Sequence, residues 1–139
     1  MKVTRIMIKD ACGNQKELQK ARLIAGKGIS GDQLPSKHGR ELSLLDADTA
    51  GRIQGLPGLC TGRFTPGITF EGNADGLKSG MLYVLGTAVI RVTQKGKRCF
   101  PDCALAQAGN TCGLAQNAVF AEVSQGGWIE KGGSFTLKL

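Results

Sequence analysis

Ala88-Val89-Ile90-Arg91-Val92-Thr93-Gln94-Lys95 carries the clearest period-two pattern in the chain: Ala88, Ile90 and Val92 alternate with Val89, Arg91 and Thr93. Side chains of a strand alternate between its two faces, so this pattern is that of a β-strand with one face turned to a core. The strand runs directly into Gly96-Lys97-Arg98-Cys99-Phe100-Pro101-Asp102-Cys103, with Cys112 further along the same loop. A strand that ends in cations and then a cysteine suggests a scaffold that delivers one reactive loop.

Outward from this strand, the chain reads as short strands separated by turn signals. Val3, Ile6 and Ile8 form a β-rich run ending at Asp10, and Cys12-Gly13-Asn14 is a turn. Leu18, Leu23 and Ile24 mark a second strand, closed by Gly26-Lys27-Gly28, so the first two segments predict a β-hairpin. Glu41 to Leu45 is a third apolar segment. Asp46-Ala47-Asp48-Thr49-Ala50 then starts a short helix, with Asp46 as N-cap and Asp48 near its positive end. Gly55 and Pro57 end that helix. Phe64, Ile68 and Phe70 form a strand interrupted by Pro66-Gly67, which predicts an edge or a bulge. Met81 to Leu85 precedes Gly86. Val119, Ala121 and Val123 alternate as a further strand, Gln125-Gly126-Gly127 is a turn, and Phe135, Leu137 and Leu139 form the last strand.

The count is seven or eight short strands and one or two short helices. The expected fold is mainly β, a closed or nearly closed β-barrel rather than a parallel α/β sheet. Twenty-one glycines among 139 residues, about twice the usual share, suit many tight turns. No linker or fixed-period repeat divides the chain, so residues 1–139 are expected to be one domain.

No apolar run approaches the roughly 18 residues of a membrane span. The Met1-Lys2-Val3-Thr4-Arg5 start lacks an apolar signal core, so the expected location is cytoplasmic. An odd set of five cysteines in a reducing compartment argues against a disulfide framework. The net charge of +7 raises the question of nucleic acid, but scattered cations, few aromatics and no recognition motif argue against it. A basic pocket for a small phosphorylated ligand explains the charge as well. Gly28-Ile29-Ser30-Gly31-Asp32 opens a polar loop holding Lys37, His38 and Arg40. Its backbone amides and cations form a candidate anion site. The bland reading, a solvated surface loop, stays open.

Four chemistries fit the cysteine cluster. Cys99 follows Lys97 and Arg98, and a basic neighbourhood favours the nucleophilic thiolate, so Cys99 could carry sulfur or ligate a catalytic metal. Cys99, Cys103 and Cys112 could together hold zinc or an iron–sulfur cluster. Their C-x3-C-x8-C spacing fits no common zinc pair and is one thiolate short, a gap that Cys60, His38 or a non-protein ligand would fill. Two of the three could form a reversible disulfide. All three could be structural, as buried cysteines often are; Cys60 is read that way, and Cys12 as an incidental turn residue.

The order of motifs resembles the MOSC domain, named after the C-terminal part of molybdenum cofactor sulfurase. Gly28–Asp32 is similar to that family's Gly-Asp loop, and Arg40-Glu41-Leu42-Ser43-Leu44-Leu45 to its Arg-Gln-Val-Ser-Leu-Leu strand. Phe64, Glu71-Gly72 and Gly76-Leu77 resemble its Phe-x-Glu-Asn…Gly-Leu region. Val92 to Cys99 resembles its cysteine segment, and Val119-Phe120-Ala121-Glu122-Val123 with Gly126-Gly127 its ending. The pattern of Cys99, Cys103 and Cys112 looks like that of the small stand-alone subgroup.

The resemblance implies a cytoplasmic β-barrel protein in molybdenum cofactor or sulfur metabolism. It implies Cys99 as a persulfide carrier, or as a ligand to molybdopterin-bound molybdenum that reduces N-hydroxylated compounds. Lys37, Arg40, Lys97 and Arg98 become candidates for the cofactor's phosphate and pterin. A sulfurtransferase would need a cysteine desulfurase or other separate sulfur donor, with molybdenum cofactor or a molybdoenzyme as acceptor. A non-enzymatic molybdopterin-binding module is the alternative, and a cysteine-ligated metal protein a third. Leu34 and Phe100 stand where the family often has His, Pro66-Gly67 replaces its Glu-Asn pair, and Gly133 its closing acid. With these polar groups gone and the cysteines kept, thiol-based sulfur transfer is favoured over redox catalysis.

Overall fold

The computed structural model describes residues 1–32, 41–53, 66–72, 76–96 and 117–138. Within them run eleven strands and one helix: β1 (Lys2–Lys9), β2 (Gln15–Leu18), β3 (Lys20–Ile24), β4 (Gly28–Ile29), β5 (Leu42–Asp46), α1 (Ala47–Ile53), β6 (Ile68–Glu71), β7 (Leu82–Leu85), β8 (Ala88–Lys95), β9 (Val119–Gln125), β10 (Gly127–Glu130) and β11 (Phe135–Leu137). Eight strands form one curled sheet in the order β11-β7-β8-β9-β5-β6-β1-β2, a half-barrel; β10-β3-β4 form a second, three-stranded sheet. The mainly β expectation holds. Closure comes from a curled sheet with a small second sheet packed on it, rather than from one continuous wall.

The strand over Ala88–Lys95 sits inside the large sheet between β7 and β9. Ala88, Ile90 and Val92 are fully buried, while Arg91 is exposed and pairs with Glu122 across the β8–β9 ladder at 3.7 Å. Val89 departs from strict alternation and is also buried.

Three sequence expectations need correction. The second strand predicted from Leu18, Leu23 and Ile24 is two strands in different sheets. β2 completes the hairpin with β1, Ile6 facing Leu18, whereas β3 leaves to pair with β10 and β4. The burial pattern explains the split: β2 is a mostly exposed edge, whereas β3 buries Ala21 and Leu23. The strand after Pro66-Gly67 is not an edge, and the one irregularity in its pairing with β1 falls between Val3 and Arg5 on β1 rather than at the proline. β6 starts at Ile68, past the proline, and lies between β5 and β1, so the missing N–H of Pro66 interrupts no ladder. Gly67 instead ties the strand's start to both neighbours: its amide donates to Ser43 Oγ at 2.9 Å and its carbonyl accepts from Met7 N–H at 2.9 Å. Finally, of the turn expected at Gln125-Gly126-Gly127 only Gly126 lies outside a strand: Gln125 ends β9 and Gly127 opens β10, a strand that the sequence pattern does not show.

The apolar cluster draws on both sheets. Ile6, Leu44, Ile68, Phe70, Ile90, Val119 and Phe135 from the large sheet meet Leu23, Ile29 and Ile129 from the small one. Phe70 and Phe135 pack edge to face with centroids 5.4 Å apart, a favoured aromatic geometry.

Candidate functional site

Strand direction decides which chain segments meet. β5 and β6 run parallel, with Asp46 level with Phe70, so their carboxyl ends open on the same side. β9 is antiparallel to β5, with Leu44 facing Val119, so its amino end lies there too. β8 is antiparallel to β9, with Lys95 facing Val119, so it also ends there. The chain therefore enters residues 97–116 from Gly96 and leaves them at Asn117 on one end of the sheet. Gly96 N–H donates to Ala118 O at 2.6 Å and ties the two stems together.

A cavity of about 480 Å³ opens at this end, lined among the described residues by Asp46, Ala47, Asp48, Arg52, Glu71, Gly72 and Asn117. Its floor is the junction of β5 with α1. Asp46 caps the helix as expected: Thr49 N–H donates to Asp46 Oδ2 at 2.9 Å. Capping by an aspartate satisfies one of the free amides of a first turn. Asp46 is only 6% exposed, and its second oxygen, Oδ1, is buried with no hydrogen-bond partner. Thr49, fully buried, accepts from Asn117 Nδ2 at 2.9 Å and from Arg52 Nη2 at 3.3 Å. Asn117 thus fastens the far stem of residues 97–116 to α1.

Every site residue singled out from sequence, Lys37, Arg40, Lys97, Arg98, Cys99, Cys103 and Cys112, lies outside the described residues, as do His38 and Cys60. Their points of attachment are described, and these do not coincide. Residues 97–116 attach beside the cavity. Residues 33–40 attach at the other end of the sheet. They begin after Asp32, whose Oδ1 accepts from Lys9 N–H at the end of β1, and return at Glu41, just before β5. Glu41 and Asp46 are separated along the strand by roughly 16 Å at about 3.3 Å per residue. Cys12 is the described free cysteine and is exposed in its turn. No group of three metal-ligating side chains occurs among the described residues.

The sequence reading used Asp46 only as a cap, and it missed Asp48, Glu71, Arg52 and Asn117 as cavity residues. One signal was present: a carboxylate directly after the apolar run Leu42–Leu45 ends a buried strand in a charge. Glu71 and Asn117 had none, because their relation to Asp46 exists only through the β5–β6 and β5–β9 pairings.

No family model matches the chain, and no curated protein matches it. Solved structures do. The YuaD protein from Bacillus subtilis superposes with a TM-score of 0.68 at 18% identity, covering 96% of this chain and 93% of that one. YiiM from Escherichia coli gives 0.66 at 15% identity over 100% of this chain and 70% of its own. YiiM from Geobacillus stearothermophilus gives 0.58 at 18%, covering 99% and 73%. Together with the curled sheet and its single described helix, these likenesses give the chain a MOSC-like fold, that of the YuaD and YiiM proteins.

Proposed function

We propose that this chain is a stand-alone sulfur carrier that holds sulfur on Cys99 as a persulfide and passes it on in molybdenum cofactor metabolism. The observation that supports the reading is the attachment of residues 97–116, the cysteine-bearing segment, at both stems beside the 480 Å³ cavity. A carrier needs an activated thiolate on a segment held at one open end of the sheet, where donor and acceptor proteins can reach it. Lys97 and Arg98 precede Cys99 in sequence and favour its thiolate.

The reaction is a pair of thiol exchanges without net redox change. The Cys99 thiolate attacks the outer sulfur of a donor's persulfide. The S–S bond of the donor breaks, its thiolate leaves, and Cys99 gains the sulfur. A nucleophile of the acceptor then attacks that outer sulfur, and the Cys99 thiolate leaves again. The donor is a separate protein of the cysteine desulfurase type, and molybdenum cofactor or a molybdoenzyme is the acceptor.

A second reading, a non-enzymatic module that binds molybdopterin, has the cavity's volume in its favour, within the range of small-molecule sites, but not the described lining. Among the described lining residues, Arg52 is the one cation beside three carboxylates, Asp46, Asp48 and Glu71. That set does not fit a phosphate.

The test is the intact mass of protein incubated with a cysteine desulfurase and cysteine under anaerobic conditions. A gain of one sulfur atom, removed by a thiol reductant and absent from Cys99→Ala but kept in Cys12→Ala, is expected. A Cys99→Ala protein that still takes up sulfur overturns the reading. Stoichiometric zinc or iron in protein purified anaerobically would favour the metal site of Cys99, Cys103 and Cys112 instead.

A further inference from the structure

We propose that the outer face of the small sheet binds single-stranded nucleic acid, with a base stacked on Trp128 and neighbouring phosphates held by Lys20 and Arg22. Cations that look scattered along the chain are gathered here by strand pairing. β3 alternates exposed Lys20 and Arg22 with buried Ala21 and Leu23, while β10 buries Ile129 and exposes Trp128 and Glu130. In the β3–β10 register Arg22 stands opposite Trp128, and Lys20 opposite Glu130. Residues opposite each other on one face of an antiparallel pair are neighbours, and long side chains also reach the diagonal positions. The Lys20 ammonium accordingly lies 5.1 Å from the centre of the Trp128 ring.

Three features of this face point to a ligand. Trp128 is 50% exposed, although tryptophan is on average a highly buried residue. Its backbone is pinned on both sides: its N–H donates to Thr87 Oγ1 at 2.7 Å, and its carbonyl accepts from Thr87 N–H at 3.0 Å. The ring thus stands on a fixed mounting, as a binding residue should. Among the described residues no carboxylate forms an ion pair with Lys20 or Arg22, whereas Arg5, Arg91 and Lys131 pair with Glu17 or Glu122. An open aromatic beside two uncompensated cations, roughly 7 Å apart along one strand, suits a chain that alternates flat bases with phosphates. A protein partner matches less well, because the core of a protein interface is depleted in charge, and here Lys20, Arg22 and Glu130 surround the ring. A duplex matches less well too, since its bases are already stacked on one another. The net charge of +7 adds long-range attraction for a polyanion. No residue of 97–116 takes part, so this face stands apart from the sulfur reading.

The experiment is a titration of the full chain with an oligodeoxythymidylate of about twelve nucleotides, followed by the fluorescence of Trp128, the only tryptophan. A base stacking on the ring should quench it saturably. The same oligonucleotide carrying a terminal dye then reads the variants by anisotropy. Trp128→Ala should weaken binding about fivefold or more. Lys20→Gln and Arg22→Gln should each weaken it and flatten the slope of log affinity against log salt by about 0.7. All three side chains are exposed, so each variant should keep the far-ultraviolet dichroism of the natural chain. The proposal falls if quenching does not saturate, if Trp128→Ala binds as tightly as the natural chain, or if neither cation variant changes the salt slope. It falls equally if polyglutamate displaces the labelled strand as well as the unlabelled strand does, the mark of a site for acidic proteins, or if a duplex of the same length binds as tightly.

Discussion

Gly86 shows how strictly one position can be set. Its φ is +61°, and a Cβ there would collide with the carbonyl oxygen of Trp128. The tight turn from β7 to β8 passes directly over β10, and Thr87 N–H donates to that same carbonyl at 3.0 Å. Gly86→Ala combines left-handed strain with a backbone collision. It is expected to destabilise the protein by more than about 1 kcal/mol in urea unfolding. Glu17 sets a different kind of limit. Its Oε1 accepts from Arg5 Nε at 2.8 Å, and Lys131 Nζ lies 3.8 Å from Oε2. The hydrogen bond from Arg5, then the charge of Lys131, holds its carboxyl below the ordinary 4.5. A lowered carboxylate adds stability that is complete above its unfolded value and is lost as the pH falls through the lower folded one. Unfolding of Glu17→Gln beside the natural chain should therefore show a small deficit above pH 4.5 that fades in more acidic buffer. Added salt should shrink it too, since the pair is exposed.

At the scale of elements, β8 and β9 form the spine that carries residues 97–116. The ladder between them is the longest among the described residues, interrupted between Val89 and Ile90 and between Val92 and Gln94. Ile90 is fully buried at its centre, so Ile90→Ala should cost about 2–5 kcal/mol in chemical denaturation. A loss under 1 kcal/mol would mean that the strand's buried face is not the packed centre described. The strand itself was legible because Ala88, Ile90 and Val92 repeat at the period of a pleat. The cap of α1 was legible because Asp46 precedes a helix start, and Thr49 N–H does bond to it. The break between β2 and β3 was not legible. Gln19 carries no breaker signal, and only the opposite partners of the two strands, β1 and β10, separate them.

For the whole molecule, the two sheets share one apolar cluster, and a common core predicts cooperative unfolding. Trp128, the only tryptophan, is half-exposed on β10 with Lys20 Nζ 5.1 Å from its ring centre. Its fluorescence reports the small sheet, whereas far-ultraviolet dichroism is dominated by the large one. Coincident urea curves from the two signals are expected, and separated midpoints would show that the small sheet unfolds on its own. Among the described residues no helix is long and apolar enough to cross a membrane.

From sequence alone came the β class, the strand over Ala88–Lys95, the capped helix, the cysteine segment that follows a cationic pair, and the resemblance to the MOSC domain. Each rests on neighbours in the chain or on motif order, which a linear reading can see. The tertiary structure alone decided that β5 and β6 lie side by side in parallel and that β9 enters beside them. It thereby placed Asp46, Glu71 and Asn117 around one cavity next to the stems of residues 97–116. Strand pairing between distant segments is set by the burial of both faces at once. No local period or propensity carries that information.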